Sequence, residues 1–517
     1  MPSYLSPGVY VEEMESGSRP IEGVGTSVAA FIGFTRKGPL NEPTAVTNWT
    51  QFKAVFGDFA EGAYLPGAVY GYFANGGGIC YVVRIGGPGG TGGTDDSGDF
   101  AQERLEPAGG PARLGPYEVA TLPEATGEIT VEVVDAEGED PPQDTFGLVV
   151  RRDGEVVETY PRLTTKRSKD NAATQVRSRS RFIALTESGR GAAPEPPAAQ
   201  TVTVPAPAGA GGPLELSARS YTGDADERTG VAGLEAVEDI TMVAAPDLMS
   251  AYRSGRIDLE TLMAVQHAIV THCELMGDRI AILDPPPEYG PRQVKVWREE
   301  TAGFDSRFAA LYYPWIKVFD PSLGRDVFMP PSGHIAGVWA RNDATRGVHK
   351  APANEVVRGA VALQTQLTKG EHDMLNPAGV NCVRAFPGRG IRVWGARTLS
   401  SDASWRYLNV RRLFNYLEES ILNGTQWAVF EPNDDALWAR IRRTISAFLV
   451  NEWRKGALFG LTPDEAFYVK CDRETNPPEV IDAGQVVCEV GVAPVKPAEF
   501  VVFQLKQLSA GSGAVDE

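Results

Sequence analysis

A chain of 517 residues, 42% hydrophobic and 22% charged, has the length of roughly two to four globular domains and enough apolar content for a large core. Its formal charge of −18 excludes a basic nucleic-acid footprint as the principal surface and suits a soluble protein that resists unspecific association. Five cysteines (Cys80, Cys273, Cys382, Cys471, Cys488) are scattered without a CxxC, which fits reduced, buried thiols better than a disulfide frame. The opening MPSYLSPGVYVEE has no basic n-region followed by an apolar stretch, so it does not read as a secretory signal. The apolar run at 28–34 is far too short to span a bilayer. The expectation is a cytosolic chain that leaves its cell by lysis.

Taken in order, residues 1–22 hold one alternating segment, Val9, Tyr10 and Val11, flanked by Pro7-Gly8 and by the polar stretch Glu15 to Pro20. A lone strand is not stable in water and has to join a sheet, in its own chain or in another. From Gly23 to Ile85 strand and helix patterns alternate: SVAAFIGF, a short helix at Trp49 to Phe56, a second at Pro66 to Ala74, then ICYVVRI. Strands separated by helices predict an α/β arrangement with a mixed or parallel sheet. Two loose segments follow, GGPGGTGGTDDSG and RGAAPEPPAAQTVTVPAPAGAGGP, with alternating β patterns between them. They mark 91–225 as a β-rich surface insertion. Its basic group (Arg151, Arg152, Lys166, Arg167, Lys169, Arg177, Arg179, Arg181) reads first as solvated strand faces and second as a patch for an anionic partner.

The α/β rhythm resumes at Val231 with DITMVAAPDL, a helix at Leu259 to Met276, RIAILDPP, and a strand in AALYYPWIKVFDP leading to a loop with Pro330-Pro331. It would complete the sheet begun before the insertion, giving a discontinuous core of 23–90 and 226–353. Residues 354–492 read as an α+β C-terminal domain. One helix, about Ser404 to Leu422, carries Trp405, Leu408, Leu413, Leu417 and Ile421 on one side, with Arg406, Arg411 and Arg412 off that stripe. A second carries Trp438, Ile441, Ile445, Phe448, Leu449 and Trp453, with Asn433 as the expected N-cap and Gly456 as the stop. Short strands are expected at 467–472 and 486–492. A last arm, 493–517, has a strand-like centre at Phe500, Val501, Val502 and Phe503.

Motifs for chemistry are missing. There is no GxxxxGK[ST] to cradle phosphates and no GxSxG elbow. His267, His272 and Cys273 share a helix, but a spacing of five turns the imidazoles apart, where zinc pairs use three or four. The reading is therefore not an enzyme, with no cofactor, no metal and no catalytic residue. A hydrolase with a dispersed site is the outlying alternative.

Three C-terminal blocks, LNPAGVNCVRAFPGRGIRVWGARTL, WRYLNVRRLFNYLEESI and FEPNDDALWARIRRTISAFLVNEWRKGALFG, are similar to the C-terminal domain of contractile tail sheath proteins, the sheaths of contractile phage tails and phage-tail-like injection systems. SPGVYVEE, AAFIGFTRKGP, YFANGGGICYVVRI, MVAAPDL, RIAILDPP, AALYYPWIKVFDP and MPPSGHIAGVWARND follow the same family order. The resemblance covers about 1–90 and 230–508, and its collinearity makes it specific. It implies a core of subtilisin-like topology without a triad, and terminal β arms exchanged between subunits. Val9, Tyr10, Val11 and Phe500 to Phe503 would be donated, and the strands carrying Tyr468, Val469, Val487 and Cys488 would receive them. It further implies a helical sheath of stacked hexameric rings around an inner tube protein, with baseplate and tail-terminator or cap partners, no nucleic acid and no membrane insertion. Such a sheath assembles in the producing cell's cytoplasm and ends as a virion tail or a particle released on lysis. It contracts to drive its tube through an envelope, swivelling on segments such as Glu15 to Pro20 and Ala493 to Pro497. For the grip on the tube the C-terminal helices offer Arg406, Arg411, Arg412, Arg440, Arg442 and Arg443. A non-contractile filament or lattice is the alternative.

Overall fold

The computed structural model describes residues 20–86, 112–121, 129–136, 142, 144–152, 154–166, 168, 171–180, 182–187, 196–204 and 216–503. Val9, Tyr10 and Val11 fall outside these residues, as do 15–19 of the expected N-terminal swivel. The chain divides into two compact units, one of 1–85 with 217–517 and one of 86–216.

In the first unit the near-continuous apolar runs become the strands of an eight-stranded sheet. Its order is Gly390–Val393, Val380–Phe386, Ala309–Tyr313, Ile280–Leu283, Met242–Ala244, Ala29–Gly33, Cys80–Arg84 and Thr44–Val46. The six inner strands run parallel and the two edge strands antiparallel. Ala29–Gly33, Ile280–Leu283 and Ala309–Tyr313 are buried at every position, as expected of parallel strands covered on both faces. Ala29 pairs with Met242 on one side and with Cys80 on the other, so the segments before and after the insertion complete one sheet. Asp247 ties the same junction. Its carboxylate accepts from Phe34 N at 2.6 Å and Leu65 N at 3.2 Å, and also from Tyr64 N. Burial pushes that carboxyl up to about 7, against the pull of these donors. The sheet also takes in 380–393, residues the sequence reading grouped with the C-terminal segment.

Helix Leu65–Asn75 packs closely on helix Ser332–Arg346. Gly333 and Gly337, four apart on one helix face, make this possible. A Cβ at Gly333 would meet Ala68 Cα at 2.4 Å, and one at Gly337 would meet Tyr72 O at 2.4 Å. The segment after Trp315, expected as one strand and a loop, forms a hairpin of Ile316–Asp320 and Arg325–Met329, joined by Ala360–Leu363. Helices Leu408–Thr425 and Asp435–Arg454 enclose a separate apolar cluster, to which Leu413, Leu417, Trp438, Ile441, Ile445 and Phe448 contribute.

The second unit is β-rich. A four-stranded antiparallel sheet is ordered Thr201–Val204, Ile129–Val134, Thr145–Arg152, Glu155–Thr164, and a three-stranded sheet Ala112–Leu114, Tyr117–Thr121, Ile183–Glu187. Strict alternation in Ile129–Val134 points Ile129, Val131 and Val133 into a core shared by both sheets. Of the basic group, Arg151 pairs with Glu132 at 3.2 Å and Lys166 with Asp144 at 3.2 Å. Arg167, Lys169 and Arg181 lie outside the described residues, as do the side chains of Arg177 and Arg179.

Candidate functional site

The first question is whether any cluster could do chemistry. His267 Nε2 lies 2.8 Å from Ala302 O, whereas His272 Nε2 faces Arg279 Nη1 at 3.4 Å. The two rings look in different directions, as their spacing predicts. Cys273 is fully buried, and burial pushes its thiol far above the ordinary range. Among the described residues no group of three or more His, Cys, Asp or Glu is placed to hold a metal ion, and no helix is long and apolar enough to cross a membrane. The informative surfaces lie at the C-terminal end.

Phe467–Lys470 and Glu489–Val492 form an antiparallel hairpin in the register Phe467 to Val492 and Lys470 to Glu489. Tyr468 and Val469 fall on the ladder, and Val487 and Cys488 stand just before its second strand. The hairpin rests on helix Asp435–Arg454. Beside it Arg442, Arg443, Ser446, Asp464, Phe467, Tyr468 and Val469 border an open depression of about 560 Å³. Among the described residues no third strand pairs with either member. Unpaired edges of this kind recruit strands.

The chain then leaves the hairpin along its own domain. Ala493 N donates to Ala466 O, Val495 N to Ala457 O, and Asn409 Nδ2 to Val495 O at 3.0 Å. Glu499 fixes the end of this run. Its Oε2 accepts from Arg397 Nη2 at 2.6 Å, and its Oε1 from Arg397 Nε and Asn376 Nδ2, each at 2.9 Å. Burial alone would raise the Glu499 carboxyl, but these donors outweigh it and hold it below its ordinary value. The swivel expected at Ala493 to Pro497 is thus held down by hydrogen bonds, and the free arm begins at Phe500. Phe500, Val501, Val502 and Phe503 are 73%, 68%, 80% and 83% exposed and belong to no strand. Four consecutive apolar residues so placed have no partner among the described residues.

The arginines divide. Arg411 and Arg412 are 2% and 4% exposed, which corrects their expected place on an open helix face. Leu408, Arg412 and Asn415 recur at steps of four and three, so they share a second buried face of the helix. Arg412 makes a two-pronged pair with Asp343, at 2.9 and 2.5 Å, and donates to Thr26 O at 3.0 Å. Arg411 lies over the ring of Trp405 at 4.5 Å and bonds Asn415 and Glu418. Neither side chain is free for a tube. Arg406 is exposed. Arg440 pairs with Glu431 and stacks on Trp427, while Arg442 donates to Cys471 O at 2.6 Å. Arg443 is exposed, with no ion pair or hydrogen bond among the described residues. The helix cap also moves by one. Asp434, not Asn433, accepts from Leu437 N, while Asn433 Oδ1 accepts from Trp438 Nε1.

Two family models match this chain, the phage tail sheath protein central domain over 226–399 and the phage tail sheath C-terminal domain over 400–507. They abut without a gap and together cover more than half of it. The chain belongs to the contractile tail sheath family. The tail sheath protein of Burkholderia phage BcepMu is 24% identical over 517 residues, covering 96% of this chain and 95% of that protein. The tail sheath protein of Vibrio phage KVP40 is 25% identical over 386 residues, 69% of this chain, which spans about half (54%) of that relative's length. Among solved structures, the contracted helical sheath of the anti-feeding prophage (AFP) shares the fold, with a TM-score of 0.59 and 24% identity over 97% of this chain and 99% of that one. The sheath relatives are structural proteins, and nothing among the described residues argues for catalysis.

Proposed function

We propose that this chain is a sheath subunit that polymerises into a helical tube of stacked, hexameric rings around an inner tube, and that its contraction drives the inner tube through a target envelope. The observation that carries this reading is the juxtaposition just described: a two-stranded hairpin with unpaired edges, and an exposed apolar arm that leaves from an anchored root at Glu499. Strand addition between subunits satisfies both at once, with main-chain hydrogen bonds supplying affinity and alternate side chains setting register. Phe500 to Phe503 would be donated C-terminally, Val9 to Val11 N-terminally, and the strands around Tyr468, Val469, Val487 and Cys488 would receive them. Woven strands keep subunits connected while rigid bodies rotate about the free part of the arm. The domain plan that goes with this is a core of 23–90 and 226–353, whose sheets also take in strands from 360–393, an insertion of 91–225, a C-terminal domain over the rest of 354–492 and arms of 1–22 and 493–517. Arg406, Arg440, Arg442 and Arg443 are left for the tube, with Arg406 and Arg443 exposed and making no side-chain hydrogen bond or ion pair among the described residues. Baseplate and terminator proteins would bound the assembly, formed in the cytoplasm and released on lysis.

Electron microscopy of the purified chain, alone and coexpressed with its tube and baseplate proteins, tests this. Wide hollow tubes from the chain alone and narrower, filled ones from the coexpression are expected. Truncation after Glu499 should abolish both while leaving a folded monomer. One helical form under all conditions would favour a passive filament, and small particles from the intact chain would end the assembly reading.

A further inference from the structure

The hairpin brings together two cysteines that lie far apart in the sequence. Its ladder ends at Lys470 opposite Glu489, so the next pair in register is Cys471 opposite Cys488. The type of that pair follows from the other end. Ala493 N donates to Ala466 O at 2.8 Å, which makes Phe467 and Val492 a non-hydrogen-bonded pair. Alternation along an antiparallel ladder then makes Cys471 and Cys488 non-hydrogen-bonded too. Such pairs stand about 4.5 Å apart at Cα, inside the window of about 4.4–6.8 Å that a disulfide requires.

The next step outward is also fixed. Asn476 is 1% exposed, and its Nδ2 donates to both Asp472 O and Val487 O, each at 3.0 Å, while its Oδ1 accepts from Val487 N at 2.7 Å. The cysteines are therefore clamped between a ladder pair and a side-chain bridge. Each thiol is near enough to shift the other's acidity. Cys471 is buried and Cys488 half-buried, so an outside reagent meets Cys488 first.

We propose that Cys471 and Cys488 are a disulfide site, closed by exchange with a small-molecule disulfide such as oxidised glutathione once the protein leaves a reducing compartment. The Cys488 thiolate attacks one glutathione sulfur, breaking the S–S bond and releasing one glutathione thiolate. The Cys471 thiolate then attacks Sγ of Cys488 and expels the second. Two electrons pass from the two thiols to the reagent, and the two thiol protons end on the two glutathiones. Burial pushes the Cys488 thiol up to about 12 and raises Cys471 as well, so exchange is slow at neutral pH and accelerates as pH rises. The bridge closes the loop 472–487 and leaves both outer edges of the hairpin open. It thus stands independently of the strand-exchange reading, and neither falls with the other.

The test incubates the full-length chain with oxidised glutathione or with a reductant. It is then quenched in acid, alkylated in denaturant, digested and mapped by mass. The expected product joins the Cys471 and Cys488 peptides, with Cys80, Cys273 and Cys382 still alkylated, and forms faster at higher pH. Cys471→Ser should instead stop at a glutathione adduct on Cys488. If the wild-type chain also stops at that adduct, or links Cys488 to another subunit, or stays reduced while the unfolded chain oxidises, the proposal is wrong.

Discussion

The two long C-terminal helices share an apolar stripe flanked by arginines and bury those arginines to opposite extents. Leu408–Thr425 carries Arg411 and Arg412 and buries both, whereas Asp435–Arg454 carries Arg440, Arg442 and Arg443 and leaves them half-buried or exposed. Both show an apolar stripe on a helical wheel with arginines beside it. The difference is what meets the other side. The first helix is covered twice, by the second helix through Leu413 and Leu417, and by Asp343, Thr26 and Trp339 through Arg412. An arginine beside a stripe is therefore exposed only if no other element brings it an acid or an aromatic ring.

The sharpest way to break this comparison is to remove one side of the buried pair. Arg412 and Asp343 have side chains only 4% and 5% exposed. Deleting one partner strands the other charge, which costs about 3–5 kcal/mol, whereas replacing both with apolar residues is often neutral or stabilising. Arg412→Ala and Asp343→Ala should each lower the melting temperature by many degrees, and the double variant Arg412→Met with Asp343→Leu should recover most of the loss. Three equal losses would mean that the pair is not the source.

Arg411 should respond more mildly. Its guanidinium lies 4.5 Å from the Trp405 centroid and 4.9 Å from that of Phe308, and Glu418, its acid, is 59% exposed. Arg411→Lys keeps the charge and loses the planar stacking and the Nε bond to Asn415, a cost of about 1–2 kcal/mol. Chemical denaturation should show a lower midpoint with an unchanged slope. A variant as stable as the parent would remove stacking from the explanation.

These arginines also mark where sequence reading stops. The inner strands of the large sheet were legible because a strand covered on both faces must be apolar throughout, as Ala29–Gly33 and Ile280–Leu283 are. Helix Leu259–Met276 was expected over the same residues, and the structure adds the cap that starts it, Asp258 accepting from Thr261 N. Arg412 was misread because its acid, Asp343, arrives from 69 positions away, and no local pattern reports that. The anchor of the arm failed in the same way, with Arg397 reaching Glu499 across 102 positions. Cys471 and Cys488 meet only through a register that the sequence leaves open. Local rules found what local rules make, and the long-range pairs needed the fold.

Arg443 gives the smallest effect on stability and the most pointed test of function. It lies on the open side of Asp435–Arg454, at the rim of the depression beside Tyr468, and binds nothing among the described residues. Reversing an exposed, unpaired charge leaves folding nearly unchanged, so Arg443→Glu should melt with the parent chain. It should still form empty tubes alone, because the hairpin edges and the arm at Phe500 to Phe503 are untouched. If Arg443 faces the inner tube, the variant should yield fewer filled, extended particles on coexpression, with a deficit that shrinks as salt screens the contact. If it faces the donated strand, empty and filled tubes should decline together. Equal yields of both forms would show that neither surface uses it, and would shift the search for the tube contact to Arg406.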